Sequence, residues 1–237
     1  MGRDAAPTIA AELFERFAQP SAGTRTTEVE VKVRVSDPRA LAASLPPLVV
    51  RGRSELQVDH YFRMPHPQRL RLREVRHWDG PAPLTLQRWG DLGIDRLPVD
   101  SAVLTHKQRL GPEPWAYDEE ELQVVDLPGL RRYLADHGMA VEVIVRKHRT
   151  SYHWDEFTLE LNTLPDLGTY LDVELLGRPP EEALPRIRDV LARLGFVAAD
   201  EEPVEYVDQV LQRQGSQVLP CTAAALPPAP PQRSMPP

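Results

Sequence analysis

The amino-acid sequence predicts a mainly β fold of the α+β class, built as an antiparallel sheet or barrel with flanking helices. Roughly nine short runs alternate apolar and polar residues, which is the period of an extended strand. Few runs have helical spacing, which disfavours a parallel sheet with a helix after every strand. The chain has 237 residues, of which 41% are hydrophobic, and this is enough for one buried core.

The elements can be read in order along the chain. The strand candidates are 28–35, 57–63, 69–75, 84–89, 103–110, 117–125, 141–152, 157–161 and 169–176. The helix candidates are 37–45, 127–138 and 181–195. Asp37 can cap the first helix, and Gly138 and Gly195 can end the other two.

Composition divides the chain into three parts. Residues 1–26 are predicted to be a flexible N-terminal segment, in which AELFERFA can form a short amphipathic helix before the breaker-rich QPSAGT. Residues 27–213 form one domain that holds the strand candidates. Residues 214–237 are rich in proline, which removes backbone donors, so this part is predicted to be a disordered tail.

The charge and cysteine content exclude several functions. A formal net charge of -7 argues against nucleic-acid and membrane-surface partners, so any anion site must be a local concentration of positive charge. A single cysteine, Cys221, rules out a disulfide framework and favours a cytoplasmic location. No signal peptide or apolar run of about 18 residues is evident. A homodimer is compatible with this composition.

One face of strand after strand carries charge. In the stretch TEVEVKVRV the valines lie on one side, and Glu28, Glu30, Lys32 and Arg34 lie on the other. The same parity groups Arg69 with Arg71 and Arg73, Thr105 with Lys107 and Arg109, Lys147 with Arg149, Glu160 with Asn162, and Tyr170 with Asp172 and Glu174. Carboxylates dominate the first strand and the last two, whereas cations dominate the middle strands.

This segregation suggests a function for the charged faces. An antiparallel sheet with one wet face would also carry mixed charges. In a closed barrel, however, the charged faces could line the lumen while the apolar faces pack outward against helices. Crowded arginine and lysine side chains repel one another unless an anion joins them, and guanidinium groups match phosphate oxygens. Paired carboxylates at one rim suit Mg²⁺ or Mn²⁺.

These residues resemble the signature of the CYTH superfamily, also called triphosphate tunnel metalloenzymes. EVEVK matches its ExExK motif, and the likeness continues in order through VDHYF, RLRLRE, LTHK, VRKHRTSYHW, LELNTLPDLGTYLDVE and DEEPVEYVDQVL. The resemblance covers about residues 28–211. It implies a closed eight-stranded antiparallel tunnel, and an enzyme that cleaves a phosphoanhydride bond with the help of metal ions.

The resemblance also implies roles for single residues. The implied metal ligands, for two ions of Mg²⁺ or Mn²⁺, are Glu28, Glu30, Asp172 and Glu174. The implied contacts to the triphosphate are Lys32, Arg71, Arg73, Lys107, Lys147 and Arg149. The implied catalytic residues are Glu28, Glu30, Lys32 and Glu174.

The sequence departs from the family pattern in three places. Asn162 stands where the family usually has aspartate, so an acid is missing. No cation of WAYDEEELQV matches the one that the family commonly has there, and the run DEEEL is predicted to be a solvated strand edge. Residues 77–102 resemble an insertion, which makes LTLQR a rival to LTHK for the lysine strand; Gln87 of LTLQR carries no charge, so Lys107 is preferred.

Three functions are compatible with this site. The segments VDHYFR, SYHW and EEPVEY resemble class IV adenylate cyclases more than thiamine triphosphatases, which favours conversion of ATP to cyclic AMP and pyrophosphate. The alternative is hydrolysis of tripolyphosphate, thiamine triphosphate or a nucleoside triphosphate. A third hypothesis is a non-catalytic phosphate-binding module, because of Asn162. No adenine pocket stands out among the candidate aromatic residues Tyr61, Phe62, Trp78, Trp89 and Trp115.

Overall fold

Eight strands close into one antiparallel barrel. The computed structural model describes residues 24–64, 68–80, 89, 92–111, 114–165 and 167–214. The strands are β1 Thr24–Arg34, β2 Val50–Phe62, β3 Gln68–His77, β4 Ser101–Arg109, β5 Ala116–Gln123, β6 Val141–Trp154, β7 Phe157–Leu164 and β8 Gly168–Leu176. Around the barrel they follow the order β1-β5-β4-β3-β2-β6-β7-β8. The predicted closed eight-stranded barrel is confirmed.

In the described part of the chain, four helices flank the barrel. They are α1 Pro38–Ser44, α2 Leu127–Asp136, α3 Pro180–Arg193 and α4 Tyr206–Arg213. The Asp37 side chain caps α1 by accepting from the amides of Arg39 and Ala40. None of the helices in the described part of the chain is long and apolar enough to cross a membrane.

The main hydrophobic core lies outside the barrel. Val29, Val31 and Val33 of β1 are fully buried on the outward face. They cluster with outward residues of β8 and with the apolar stripe of α3, which includes Ile187 and Leu191 at helical spacing. A second cluster joins α2 to the outward leucines of β3, β4 and β5. The apolar strand faces therefore point outward, and the polar faces are left for the lumen.

Helix α4 covers one end of the barrel. Its Tyr206, Val207, Val210 and Leu211 cluster with residues at the start of β6, the end of β7 and the start of β8. This helix was missed in the sequence, although the spacing of its four buried residues is helical. Its position matters for the site because Tyr206 reaches into the lumen.

Some predicted elements differ from the structure or fall outside it. β2 begins at Val50, seven residues before the predicted start, with a register irregularity between Arg51 and Ser54 in its pairing with β6. β1 begins at Thr24, inside the predicted N-terminal segment. The strand proposed over 84–89 lies outside the described residues except for the buried Trp89. The N-terminal helix and the tail also lie outside them.

Packing of α3 on the barrel gives a stability prediction. Ile187 is fully buried between α3 and the outward face of the barrel. Ile187→Val removes one methylene from this core, so we expect the free energy of unfolding to fall by about 0.5–1.5 kcal/mol. Urea denaturation measures the change. Val197→Ala, at a residue that is 64% exposed, is the control and should change stability by less than about 0.5 kcal/mol.

Candidate active site

The lumen contains a cavity of about 320 Å³ with a highly charged wall. The carboxylates that line it are Glu28, Glu30, Glu119, Glu121, Glu160, Asp172, Glu174, Glu202 and Glu205. The cations are Lys32, Arg69, Arg71, Arg73, Lys107, Lys147 and Arg149. Nine carboxylates face seven cations, so the lining is formally negative. The predicted carboxylates and the predicted cations therefore line the same lumen, and β5 adds the acids Glu119 and Glu121.

Three of the predicted metal ligands meet at one point. Glu30 of β1 lies opposite Glu174 of β8 in the strand register, and Glu28 lies two residues away on the same face. One carboxylate oxygen from each of Glu28, Glu30 and Glu174 lies within 4.8 Å of the others. Such a group of oxygen donors fits a hard divalent cation.

The ionisation of these carboxyls reflects their crowding. Burial raises the pKa of Glu28 to about 8, although Lys107 opposes the shift. Burial also raises the pKa of Glu174 well above its ordinary value, and the neighbouring carboxylates Glu160 and Glu28 add to the rise. Burial acts on Glu30 in the same direction, but the ammonium groups of Lys32 and Lys107 outweigh it and hold the pKa at about 2. A positive ion between these carboxyls would relieve their repulsion.

Asp172 lies in the same lumen but has protein partners on both oxygens. Its Oδ1 accepts from the Tyr206 hydroxyl at 2.7 Å, and its Oδ2 accepts from Asn162 Nδ2 at 2.8 Å. Burial, followed by the charge of Glu30, raises its pKa to about 6. The structure therefore brings together three of the four predicted metal carboxylates and sets Asp172 beside them, bound to α4 and β7.

Most of the predicted phosphate-binding cations contact carboxylates in the structure. Lys32 Nζ lies 3.1 Å from Glu30, and Lys107 Nζ lies 2.6 Å from Glu28 and 2.9 Å from Glu119. Arg149 contacts Glu160, and Arg71 lies 3.5 Å from Glu121 and 3.8 Å from Glu119. These cations would have to share their protein partners with an anionic ligand.

Arg73 differs from the other cations because its fork is already filled. Its Nε and Nη2 donate to the two carboxylate oxygens of Asp59 at 2.7 and 2.9 Å. Asp59 is 1% exposed. Sequence reasoning missed Asp59, which was visible by parity with Gln57 and Tyr61 on the strand candidate 57–63. The pair is a buried structural contact between β2 and β3 as much as a site for a ligand.

Lys147 differs from Arg73 and the other predicted phosphate-binding cations in its lack of a carboxylate partner among the described residues. It is 3% exposed and lines the cavity, and within the described parts of the chain no carboxylate forms an ion pair with it. Burial, together with the charges of Arg149 and Arg73, lowers its pKa well below the ordinary value. Its ammonium lies 5.4 Å from the Tyr206 ring centre. The charges of Asp59 and Glu160 oppose this shift only in part, and an anion in the cavity would supply a closer counter-charge.

Lysine usage is a sequence signal for this cavity that our sequence analysis overlooked. The chain has 28 lysine and arginine residues, but its only lysines are Lys32, Lys107 and Lys147, and all three line the cavity. The residue type alone points to the lumen.

Two further acidic residues were also missed. The run DEEEL was expected to be a solvated edge, but β5 pairs with both β1 and β4 because the barrel is closed. Glu119 is consequently 6% exposed and lies in the cavity, so the expectation was wrong for it. Glu205, just before α4, accepts from the Tyr117 hydroxyl at 2.6 Å and lies 3.1 Å from Arg109.

The aromatic candidates divide between the lumen and the outer core. Tyr61 and Trp115 line the cavity. Phe62 and Trp89 belong to outer hydrophobic clusters, and Trp78 packs against the cluster of Trp89. Tyr117 and Tyr206 also line the cavity, so four aromatic side chains share its wall with sixteen charged ones.

Comparisons with known proteins agree with this architecture. A sequence model of the CYTH domain matches residues 26–203. A conserved hypothetical protein from Pyrococcus furiosus is 26% identical, with a TM-score of 0.63 over 76% of this chain and 98% of the other. A provisionally assigned adenylate cyclase from Vibrio parahaemolyticus is 18% identical, with a TM-score of 0.59 over 79% and 99% of the two chains.

A third structure is more distant. It is a provisionally assigned adenylyl cyclase from Hippeastrum whose description states a dominant triphosphatase activity. It is 17% identical, with a TM-score of 0.50 over 82% of this chain and 98% of the other. Below 25% identity such likeness shows the fold alone. Among curated protein sequences, none matches this chain.

Proposed function

The chain belongs to the CYTH family, and on that premise we propose that it binds a triphosphate together with Mg²⁺ or Mn²⁺ and hydrolyses a phosphoanhydride bond. The observation that carries the proposal is the meeting of the Glu28, Glu30 and Glu174 carboxylates with Lys147 in one cavity. Carboxylates that need a cation and a cation that needs an anion lie in the same lumen. A metal triphosphate would satisfy both.

The donor set fits the metal that the family implies. Glu28, Glu30 and Glu174 would hold it, since hard divalent ions prefer carboxylate oxygens and bind phosphates alongside a few of them. When bound, such ions neutralise phosphate charge and make a water molecule more acidic. The formally negative lining explains why the protein needs this help before it can accept a polyanion.

The side chains of the opposite wall would bind and orient the phosphates. Lys147 can contact a phosphate oxygen without giving up a carboxylate. Arg71 and Arg149 can share their donors between a phosphate and their present acidic neighbours, because each guanidinium has several N–H groups. Fixed cations around the transferred group stabilise the charge that develops there, and this is the main contribution of a protein to phosphoryl transfer.

The composition of the wall supports a compact, charged substrate over a nucleotide. Of the segments that resemble cyclases, SYHW packs its Tyr152 and Trp154 in the outer core. Tyr61 of VDHYFR and Tyr206 of EEPVEY line the cavity, where Tyr206 donates to Asp172. These contacts are compatible with a substrate that lacks an adenine ring. Cyclisation of ATP stays the second candidate because of the sequence resemblance, and a phosphate-binding module is the third. A cytoplasmic location, a homodimer and the lack of nucleic-acid or membrane partners stay predictions.

Product analysis separates the three candidates. Purified protein is incubated with tripolyphosphate, thiamine triphosphate or ATP in the presence of Mg²⁺ or Mn²⁺. We expect orthophosphate released from the terminal position, with tripolyphosphate among the best substrates. Formation of cyclic AMP and pyrophosphate from ATP would show that the protein is a cyclase and not a hydrolase. Binding without any turnover would show that it is a non-catalytic phosphate-binding module.

Lys147 provides a test of ligand binding. Lys147→Met removes a cation that has no carboxylate partner among the described residues, so we expect tripolyphosphate affinity to weaken by about 1.5–3 kcal/mol. Isothermal titration calorimetry in the presence of Mg²⁺ measures the loss. Arg146→Met, on the outward face of the same strand and paired with Asp95, is the matched control and should bind as the wild type does. Full affinity of Lys147→Met would remove Lys147 from the phosphate site.

A further inference from the structure

Glu160 of β7 is a cavity carboxylate with only one of its oxygens engaged. It is 5% exposed and lines the lumen. Its Oε1 contacts Arg149. Its Oε2 is shielded from solvent and has no hydrogen-bond partner among the residues that the structure describes. Because a buried carboxylate oxygen without a donor is costly, this oxygen points to a ligand of opposite charge.

Asn162 lies two residues along the same strand face. Its side chain is neutral, so it cannot balance a cation as a carboxylate would. Its amide is occupied: Nδ2 donates to Asp172 at 2.8 Å and to the Glu160 carbonyl at 3.3 Å, and Oδ1 accepts from Arg149 Nε at 3.1 Å. The position that the family resemblance gives to an aspartate thus holds β6 and β8 together through hydrogen bonds to Arg149 and Asp172, without adding a charge of its own. The missing negative charge must come from elsewhere in the wall.

The strand register puts Glu160 close to the carboxylate group. Glu160 lies opposite Asp172 on β8, and Thr158 lies opposite Glu174. Glu160 is therefore a diagonal neighbour of Glu174, within reach of a long side chain, whereas Asn162 lies farther along the strand. The electrostatic influence of Glu160 on Glu174 is consistent with this proximity.

We propose that Glu160 is a further carboxylate ligand of the divalent cations. It supplies the negative charge that an aspartate at position 162 would have provided. The inference rests on the proposed function and extends it to a residue outside the family pattern. It spreads the carboxylate site over β1, β8 and β7, and so gives a second ion an anchor besides the Glu28, Glu30 and Glu174 group. Arg149 would then be freed from Glu160 to contact phosphate.

Mn²⁺ binding without substrate tests this directly. Electron paramagnetic resonance of free Mn²⁺ gives the number and affinity of bound ions for the wild type, Glu160→Gln, Asn162→Asp and the double variant Glu160→Gln with Asn162→Asp. We expect Glu160→Gln to lose one ion or to bind it at least about tenfold more weakly, since even groups that only support ligands account for 10–100-fold. The double variant, which moves the acid by two residues, should recover much of the loss.

Controls keep the two proposals separate. Glu120→Gln removes the same charge from the outward face of β5 and should bind Mn²⁺ as the wild type does. Wild-type Mn²⁺ binding in Glu160→Gln, with or without weaker tripolyphosphate binding, would overturn the inference and leave Glu160 as the partner of Arg149. A wild-type protein that binds no Mn²⁺, or a Glu30→Gln variant that binds it normally, would overturn the proposed function itself. If Glu160→Gln does not fold, Glu160→Asp, which withdraws the carboxylate by one methylene, must bind Mn²⁺ more weakly than the wild type, and equal binding would contradict the inference.

Discussion

Glu30→Gln is expected to lower metal-dependent turnover by at least about 100-fold while the barrel stays folded. Glu30 lies in the carboxylate group with Glu28 and Glu174, where one oxygen of each lies within 4.8 Å of the others. Loss of its charge removes a ligand, and groups that merely support metal ligands already account for 10–100-fold. Glutamine keeps an acceptor for Lys32, so stability should change by less than about 1 kcal/mol. Phosphate release at saturating Mg²⁺ measures the effect.

Two variants make this result interpretable. Glu120→Gln carries the same change on the outward face of β5 and should keep full activity. Glu174→Gln, from the neighbouring strand, should lose activity as Glu30→Gln does, because both contribute to one group. Wild-type turnover of Glu30→Gln at saturating Mg²⁺ would show that the metal lies elsewhere.

Arg73→Ala is expected to lower the free energy of unfolding by about 3–5 kcal/mol, the usual loss when one partner of a buried ion pair is removed. Asp59 is 1% exposed and receives both donors of the Arg73 fork. Without Arg73, its carboxylate would be left in the barrel wall without the cation that balances it. The resemblance to the CYTH family implies a phosphate contact for Arg73. In the structure, however, Arg73 balances the buried charge of Asp59, and the loss of this ion pair would dominate the effect of the substitution. Urea denaturation at neutral pH measures the change.

The control for Arg73→Ala is an arginine whose ion pair is exposed to solvent. Arg146 makes a similar two-pronged contact to Asp95, but the Asp95 side chain is 59% exposed. Arg146→Ala should cost no more than about 1 kcal/mol, as exposed ion pairs do. The double variant Asp59→Asn with Arg73→Gln should recover most of the lost stability, since neither buried charge remains. An Arg73→Ala protein as stable as Arg146→Ala would mean that water reaches Asp59.

Side-chain parity predicted much of the site because it is a local property of each strand. The alternation in TEVEVKVRV determines that Glu28, Glu30 and Lys32 share a face, and the same holds for Arg71 with Arg73 and for Lys147 with Arg149. Burial of the valines between the barrel and α3 then puts the charged face inward. Parity alone was also compatible with an open sheet that has one wet face, and the closed barrel was predicted from the resemblance to the CYTH superfamily.

The pairings across the lumen could not be predicted in the same way. Lys107 lies beside Glu28 only because barrel closure brings β4, β5 and β1 together, and no local pattern carries that information. Barrel closure also buries Glu119 of β5, whereas the sequence pattern of the single strand predicted an exposed acidic run. α4 was missed because its short amphipathic stretch follows a proline-containing loop, and Tyr206 was missed with it.

Lysine-selective nuclear magnetic resonance tests most directly whether metal binds in the lumen that contains all three lysines of the chain. Protein labelled with ¹³C at lysine Cε gives one signal each for Lys32, Lys107 and Lys147, which single lysine variants can assign. Stoichiometric Mn²⁺ should broaden all three signals in the wild type and in Glu120→Gln, but not in Glu30→Gln. If Mn²⁺ binds and the three signals stay sharp, or broaden equally in Glu30→Gln, the ion does not lie among these carboxylates and the account is wrong.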